Sequence, residues 1–381
     1  MHILFYTELS PFPYNRGERI RSYGILKALS LIGHSVTAVI GNKDNVRLEN
    51  NRLENVEYII HNYEKNMEPV KFNRYKAYFF RKRDLIRLFT QIIEDKNPSV
   101  AFIDYNYFGE FIPWFKQKGL KVIYGTHNAQ ALLQFQKPAA SLRNKLGQVR
   151  DYLLMRFHEI VFFRQADAII SVSQMDLEYH KKFAGNVSHY VIPNFLDENL
   201  YESQEYERSN TIIMMANFLA YQNFMGLEWF IKNVWNYRLA NKASFIILGF
   251  NSKIAYKVLR KKYSIPGEIM AIENVEDVKP YNQKAKVSIV PLHHGSGSRL
   301  KCLESMALRT PIVSTTKGAE GIDHDGSIHI ADNPEDFRNL IINILDNEMN
   351  YTEKAFKKFI EKYSLLPNSQ LFKKVIENLF L

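Results

Sequence analysis

At 381 residues, with hydrophobic residues at 46% and charged residues at 24%, the chain has the make-up of a globular protein of two ordinary domains, each able to bury its own core. Its single cysteine, Cys302, excludes an intramolecular disulfide and fits a reducing cytosol, and no apolar run approaches the ~18 residues of a membrane span. A formal net charge of +10 calls for an acidic partner, either nucleotide phosphates, an anionic bilayer or nucleic acid, and the last has no zinc spacing or RNP aromatics to support it.

In chain order, His2–Tyr6 reads as a first buried strand, and Met1 to Thr7 lacks the basic start of a signal peptide. The loop from Thr7 to Gly17, with Pro11 and Pro13, is too polar and broken to join the core. Glu18–Leu31 is a helix, because Ile20, Tyr23, Leu26, Leu29 and Ile32 recur at helical spacing and Gly33 stops them. His34–Ile40 is a second strand. Lys71 to Phe89 interleaves Arg74, Lys76, Arg81, Lys82, Arg83 and Arg87 with Tyr75, Tyr78, Phe79 and Phe80. That pattern suits an anionic membrane interface, single-stranded nucleic acid, or a plain amphipathic helix with a solvated basic face.

Ser99–Asp104 and Lys121–Tyr124 are two further buried strands. The second empties into Gly125-Thr-His127-Asn128, and a histidine just past the carboxyl end of a parallel strand is placed either for a ligand or for a structural bond. Arg150–Phe163 is a helix, Ala168–Ser173 a strand and Gln174–Phe183 a helix. Pro193 and the polar run through Asn210 make the best linker, which divides the chain into 1–193 and 194–364. The second part opens with the strand Thr211–Ala216 and continues with Ser244–Gly249, and Glu273–Asp277 ends the next strand. A last apolar-periodic helix runs from Leu365 to Leu381.

The most informative stretch is Pro291 to Ile322. The strand Val287–Leu292 breaks into His293-His-Gly-Ser-Gly-Ser298. A helix follows, with Leu300, Leu303, Met306, Ala307 and Leu308 apolar, until Pro311 ends it and Ile312-Val313 begins another strand. This is a βαβ unit. Gly295 and Gly297 let a ligand approach the backbone, the helix start offers free N–H groups, and Arg299 and Lys301 add two cations. The combination suits a diphosphate. Glu304 lies on the same helix, positioned either for an ion pair with those cations or for ribose hydroxyls.

The run GSGSRLKCLESMALRTPIVSTTKGAEGI resembles the nucleotide-sugar site of retaining GT-B glycosyltransferases of the GT4 type, in the subgroup reading G-S-G-x-R-L-K-x-L-E. The resemblance implies an α/β fold of two Rossmann-like domains whose parallel sheets face across a cleft, with the C-terminal helix packing back on the first. It implies transfer of a sugar from UDP or GDP to an acceptor hydroxyl with retention, without a metal or other cofactor. The acceptor would be a saccharide or lipid-linked saccharide of cell-surface polysaccharide or glycolipid assembly, and the location cytoplasmic or peripheral on the inner membrane face, which favours an anionic membrane over nucleic acid for Lys71–Phe89.

Residue by residue, the resemblance assigns His127, Arg299 and Lys301 to catalysis. Gly17, Asn217, Val275, Gly297, Ser298, Leu300 and Glu304 would bind the donor, and Arg19 and Asn128 would lie on the acceptor side, with Asn15, Arg16 and Arg21 nearby; a surface-charge role for Arg19 and Arg21 stays open. The sequence departs from the family pattern at three places. Gly125 stands where an acid precedes the histidine, Asn217 to Met225 lacks the usual Arg and Lys, and Ser296 replaces the first acid of the E-x7-E motif. A sugar-nucleotide epimerase or hydrolase on the same fold, or a non-catalytic membrane- or nucleic-acid-binding protein, are the competing readings.

Overall fold

The computed structural model describes residues 1–14, 17–41, 53–61, 74–104, 108–128, 131, 142–201, 207–295, 299–347 and 352–381, with backbone alone at 74–81 and 142–144. The chain forms two compact units, Met1–Phe135 with Ala139–Ile192 and Asn368–Leu381, and Gln136–Pro138 with Pro193–Pro367.

Among the described residues the first unit holds a seven-stranded parallel sheet in the order β3-β2-β1-β4-β5-β6-β7. The strands are β1 (His2–Thr7), β2 (Ser35–Gly41), β3 (Val56–His61), β4 (Val100–Asp104), β5 (Lys121–Gly125), β6 (Ala168–Ser171) and β7 (Ser188–Val191). The inner strands are apolar without alternation because helices cover both faces. β3 and β7 escape the sequence reading for the opposite reason. They are the sheet edges, half-covered, and their residues show no buried run. Helix Gly17–Leu31 matches expectation to one residue, whereas the helix predicted from Arg150 starts at Leu142. Ser173 caps Gln174–Ala184 by accepting from the Asp176 amide. From Asn368 on, the last helix belongs to this unit, and its Phe372 ring meets Phe102 of β4 at 6.1 Å.

The loop after β1 corrects the sequence reading. Phe12 is buried, its ring edge-on to Tyr23 and Tyr58, and Arg19 donates to the Phe12 carbonyl at 2.9 Å. An aromatic anchor and an internal guanidinium therefore tie a proline-broken loop into the core. Burying a side chain of this size contributes about 1.5–3 kcal/mol.

The second unit holds a six-stranded parallel sheet among the described residues, ordered β10-β9-β8-β11-β12-β13. The strands are β8 (Ser209–Met215), β9 (Ser244–Leu248), β10 (Ile269–Ile272), β11 (Ala285–Val290), β12 (Ile312–Ser314) and β13 (His329–Ile330). Ile212, Phe230, Phe245, Val287, Ile289 and Phe337 centre its core. β1 pairs with both β2 and β4, and β8 with both β9 and β11. In each sheet the connections diverge at that point, and the carboxyl ends of the flanking strands leave a crevice. Both groups of candidate residues lie at these crevices.

Candidate functional site

In the second unit, β11 ends at Val290, and the extended backbone of Arg299 precedes helix Leu300–Ala307. Arg299 is buried, 8% exposed. Gly295, at φ +103°, makes the room: a Cβ there would lie 3.3–3.4 Å from both terminal guanidinium nitrogens. The guanidinium approaches the Lys317 carbonyl at 3.5 Å and Glu320 at 3.9 Å, so the loops before the helix and after β12 share it. Cys302 is fully buried with its thiol toward the Gly318 carbonyl at 3.6 Å, and burial pushes that thiol up to about 12.

Lys301 is half-buried and donates to Asn223 Oδ1 at 3.0 Å. Asn223 in turn donates to the Asn217 carbonyl at 2.8 Å, and the Asn217 side chain accepts from the Leu219 amide. The turn after β8, where the family pattern has basic residues, thus serves as an amide bridge to Lys301. Burial, followed by the charge of Arg299, brings the Lys301 ammonium down to about 8.

Glu304 accepts from the Tyr201 hydroxyl at 3.3 Å and, among the described residues, has no ion pair with Lys301. Burial raises its carboxyl to about 7, against the opposing pull of Tyr201 and Lys301. Asp277 and Lys279 also act on it, so the loop after β10 that contains Val275 belongs to the same cluster. The Val275 side chain itself packs beside Ile213, Met215, Ile246 and Leu248. Tyr201 was not legible as a participant: it lies 103 residues from Glu304 in sequence, and Lys279 stacks over its ring at 5.5 Å. Leu300 is half-buried at the helix start. Ser296, Gly297 and Ser298 lie outside the described residues.

In the first unit, His127 Nε2 meets Asp104 Oδ1 at 2.9 Å, with the histidine side chain 9% and the carboxylate 0% exposed. Ser22 Oγ donates to the other carboxylate oxygen at 2.6 Å. Burial by itself would raise the Asp104 carboxyl, but the facing imidazole, Arg21 and Ser22 hold it below the usual carboxylate range. An ionised carboxylate only accepts, so Nε2 is the nitrogen of His127 that carries the proton and donates.

Asp104 is the residue that sequence reasoning missed. It lies directly across the strand pair from Gly125, and a Cβ at Gly125 would sit 3.3 Å from Asp104 Oδ1. The acid absent beside the histidine in sequence is supplied from the neighbouring strand end. The available signal was an aspartate closing the otherwise apolar β4.

Arg19 and Arg21 are both buried, which removes the surface-charge alternative, and Arg21 lies against the Ile192 carbonyl at 3.4 Å. Gly17 begins its helix, and half-buried Asn128 follows His127. Asn15 and Arg16 lie outside the described residues. So do Lys71 to Asn73 and the side chains through Arg81. The rest of that basic helix is ordinary in its packing, with Leu85 and Phe89 buried and Arg83 and Arg87 exposed. No group of three or more His, Cys, Asp or Glu among the described residues could hold a metal ion, and no helix there is long and apolar enough to cross a membrane.

Residues 209–347 match the family described as Glycosyl transferases group 1. Over 191 residues the chain is 25% identical to a probable sucrose-phosphate synthase of Thermosipho melanesiensis, a match that spans 46% of this chain and 44% of the relative. The chain thus aligns with less than half the length of that curated protein. In structure it is similar over its full length to the sucrose-phosphate synthase of Thermosynechococcus elongatus, with a TM-score of 0.74, 14% identity and 99% of that chain covered. It is also similar to Anabaena Alr3699/HepE in complex with UDP-glucose, with a TM-score of 0.66, 11% identity and coverage of 99% and 100%. The fold is GT-B. Its nucleotide-site candidates Arg299, Lys301 and Glu304 all fall inside the stretch that matches the family.

Proposed function

We propose that the protein is a glycosyltransferase that moves a sugar from a nucleoside diphosphate, UDP or GDP, to an acceptor hydroxyl with retention. The acceptor is a saccharide or lipid-linked saccharide of cell-surface polysaccharide or glycolipid assembly. The observation that carries this reading is the pair of cations at the start of helix Leu300–Ala307, built into the family-matching stretch, with no carboxylate salt bridge to Lys301 among the described residues.

Cleaving the anomeric bond builds negative charge on the diphosphate and positive charge on the sugar. Arg299, Lys301 and the helix start supply the counter-charge. A charge-assisted hydrogen bond contributes ~1.5–3 kcal/mol and the helix dipole ~0.3–1 kcal/mol, so the side chains dominate. Glu304, presented beside Tyr201, accepts from the ribose hydroxyls once ionised. His127 orients the sugar in a tautomer fixed by Asp104. The diphosphate takes the acceptor proton as it leaves, so no metal ion and no separate base enters the scheme. A melting-temperature screen of the purified chain against UDP-, GDP- and ADP-sugars tests the donor class: stabilisation by a UDP- or GDP-sugar supports it, and none by any of the three opposes it.

A second reading has one observation in its favour. The Asp104–His127 pair is also the kind of group that moves protons in a sugar-nucleotide epimerase or hydrolase. Product analysis with and without acceptor separates the two: an epimerised or hydrolysed sugar nucleotide formed at full rate without acceptor would favour it.

A further inference from the structure

Helix Ser252–Lys262, between β9 and the edge strand β10, carries Lys253, Lys257, Arg260, Lys261 and Lys262 and not one acid. Lys262 is held by Glu228 at 2.6 Å. The other four line, with Tyr256 and Ala271, an open cavity of about 510 Å³ along the sheet edge. Positions 253, 256, 257, 260 and 261 share one side of a helix, which is why they converge on one groove. Among the described residues none of those four cationic side chains is ion-paired or hydrogen-bonded. Glu273, the acid at the helix start, accepts from the Lys253 backbone amide at 3.0 Å.

Helix Thr352–Tyr363 of the same unit shows the usual alternative. There Lys358 meets Asp323 and Asp325, Lys362 meets Asp323, and Lys357 meets Glu361. Three of the four cations on that helix meet carboxylates of the chain, and Lys354 donates to the Asp325 carbonyl; the four in the groove of Ser252–Lys262 are left for something else.

The same surface also exposes apolar side chains. Ile254 and Val258 on the helix are 59% and 48% exposed, and Phe250 in the preceding turn is exposed as well. A soluble polyanion would satisfy the lysines and leave this apolar row in water. An anionic bilayer satisfies both, with headgroup phosphates against the cations and the acyl boundary under Ile254 and Val258. We propose that Ser252–Lys262 docks the second unit onto an anionic lipid surface, with a headgroup phosphate seated in the groove of Lys253, Lys257, Arg260 and Lys261. This places the membrane contact on a different helix from Lys71–Phe89, and it stands independently of the transferase reading.

The test is co-sedimentation of the full chain with phosphatidylcholine vesicles, with and without phosphatidylglycerol. The chain should bind only the anionic vesicles and be released by salt. Each cation near such a surface strengthens partitioning about fivefold, so Lys257→Gln with Lys261→Gln should weaken it about 30-fold. Arg83→Gln with Arg87→Gln, the same loss of charge on the first unit, should weaken it less than about twofold. Ile254→Ser with Val258→Ser should lower binding while leaving its salt dependence intact. All these positions are exposed, and unchanged melting curves would confirm folding. Equal losses in the two charge variants, no binding by the native chain, or an Ile254/Val258 variant that binds as well as the native chain would overturn the proposal.

Discussion

Asp104 and His127 in the first unit, and Arg299 and Lys301 in the second, lie at or past the carboxyl ends of parallel strands, yet their charge is met differently. Asp104 is enclosed by partners of its own unit, with His127 at 2.9 Å, Ser22 at 2.6 Å and Arg21 acting on it, and its carboxyl is held ionised. Lys301 is met by an amide oxygen, and burial beside Arg299 lowers it to about 8. A carboxylate satisfied from within positions its neighbour. A cation kept against its own preference for water is stabilised when an anion arrives. The first cluster therefore reads as orientation and the second as electrostatic binding.

The largest effect that could break this contrast is at Arg299. Arg299→Ala should lower turnover by about 10²-fold or more, as loss of one transition-state donor does, and initial rates with the native donor measure it. An unaltered rate would remove Arg299 from the chemistry.

Next comes Asp104→Asn, which replaces an anionic acceptor by a neutral amide and should cost about 10- to 100-fold in kcat with little change in donor affinity. Because Asp104 and Gly125 are cross-strand neighbours, Asp104→Gly combined with Gly125→Asp should recover part of that loss, whereas Gly125→Asp alone crowds Asp104 and should not help. A double exchange no better than Asp104→Gly would contradict the positioning role.

The smallest effect concerns pH. Glu304, raised to about 7, becomes a two-oxygen, charge-assisted acceptor for hydroxyls once ionised, and Lys301, lowered to about 8, is mostly charged only below that value. Donor affinity should climb through about pH 7 and fall beyond about pH 8. Glu304→Gln should abolish the lower limb and keep the upper one. Titrations across the range check this, and a lower limb that survives in the variant would reassign it.

Much of this was readable in the chain itself. The helical periodicity of Glu18–Leu31, the apolar cores of β1, β4 and β5, and the helix that follows Arg299 all rest on local pattern, and the local pattern decided them. The missing parts depend on contacts distant in sequence. Edge strands β3 and β7 have no second covered face to impose an apolar run. The Asp104–His127 bond exists because β4 and β5 are in register, and Tyr201 reaches Glu304 from just before the start of the family-matching stretch. Arg19 and Arg21 look like surface charges in sequence because their partners include the carbonyls of Phe12 and Ile192, and a carbonyl partner leaves no trace in residue identity.

The most direct test of the central claim is calorimetric titration of the native chain, and of an Arg299→Ala/Lys301→Gln variant, with UDP, GDP and the corresponding nucleosides. If those cations hold the diphosphate, one of the two diphosphates should bind the native chain at least about tenfold more tightly than its nucleoside, roughly one charge-assisted hydrogen bond, and the gap should close in the variant. A gap of the same size in both proteins would mean that the phosphates are bound elsewhere.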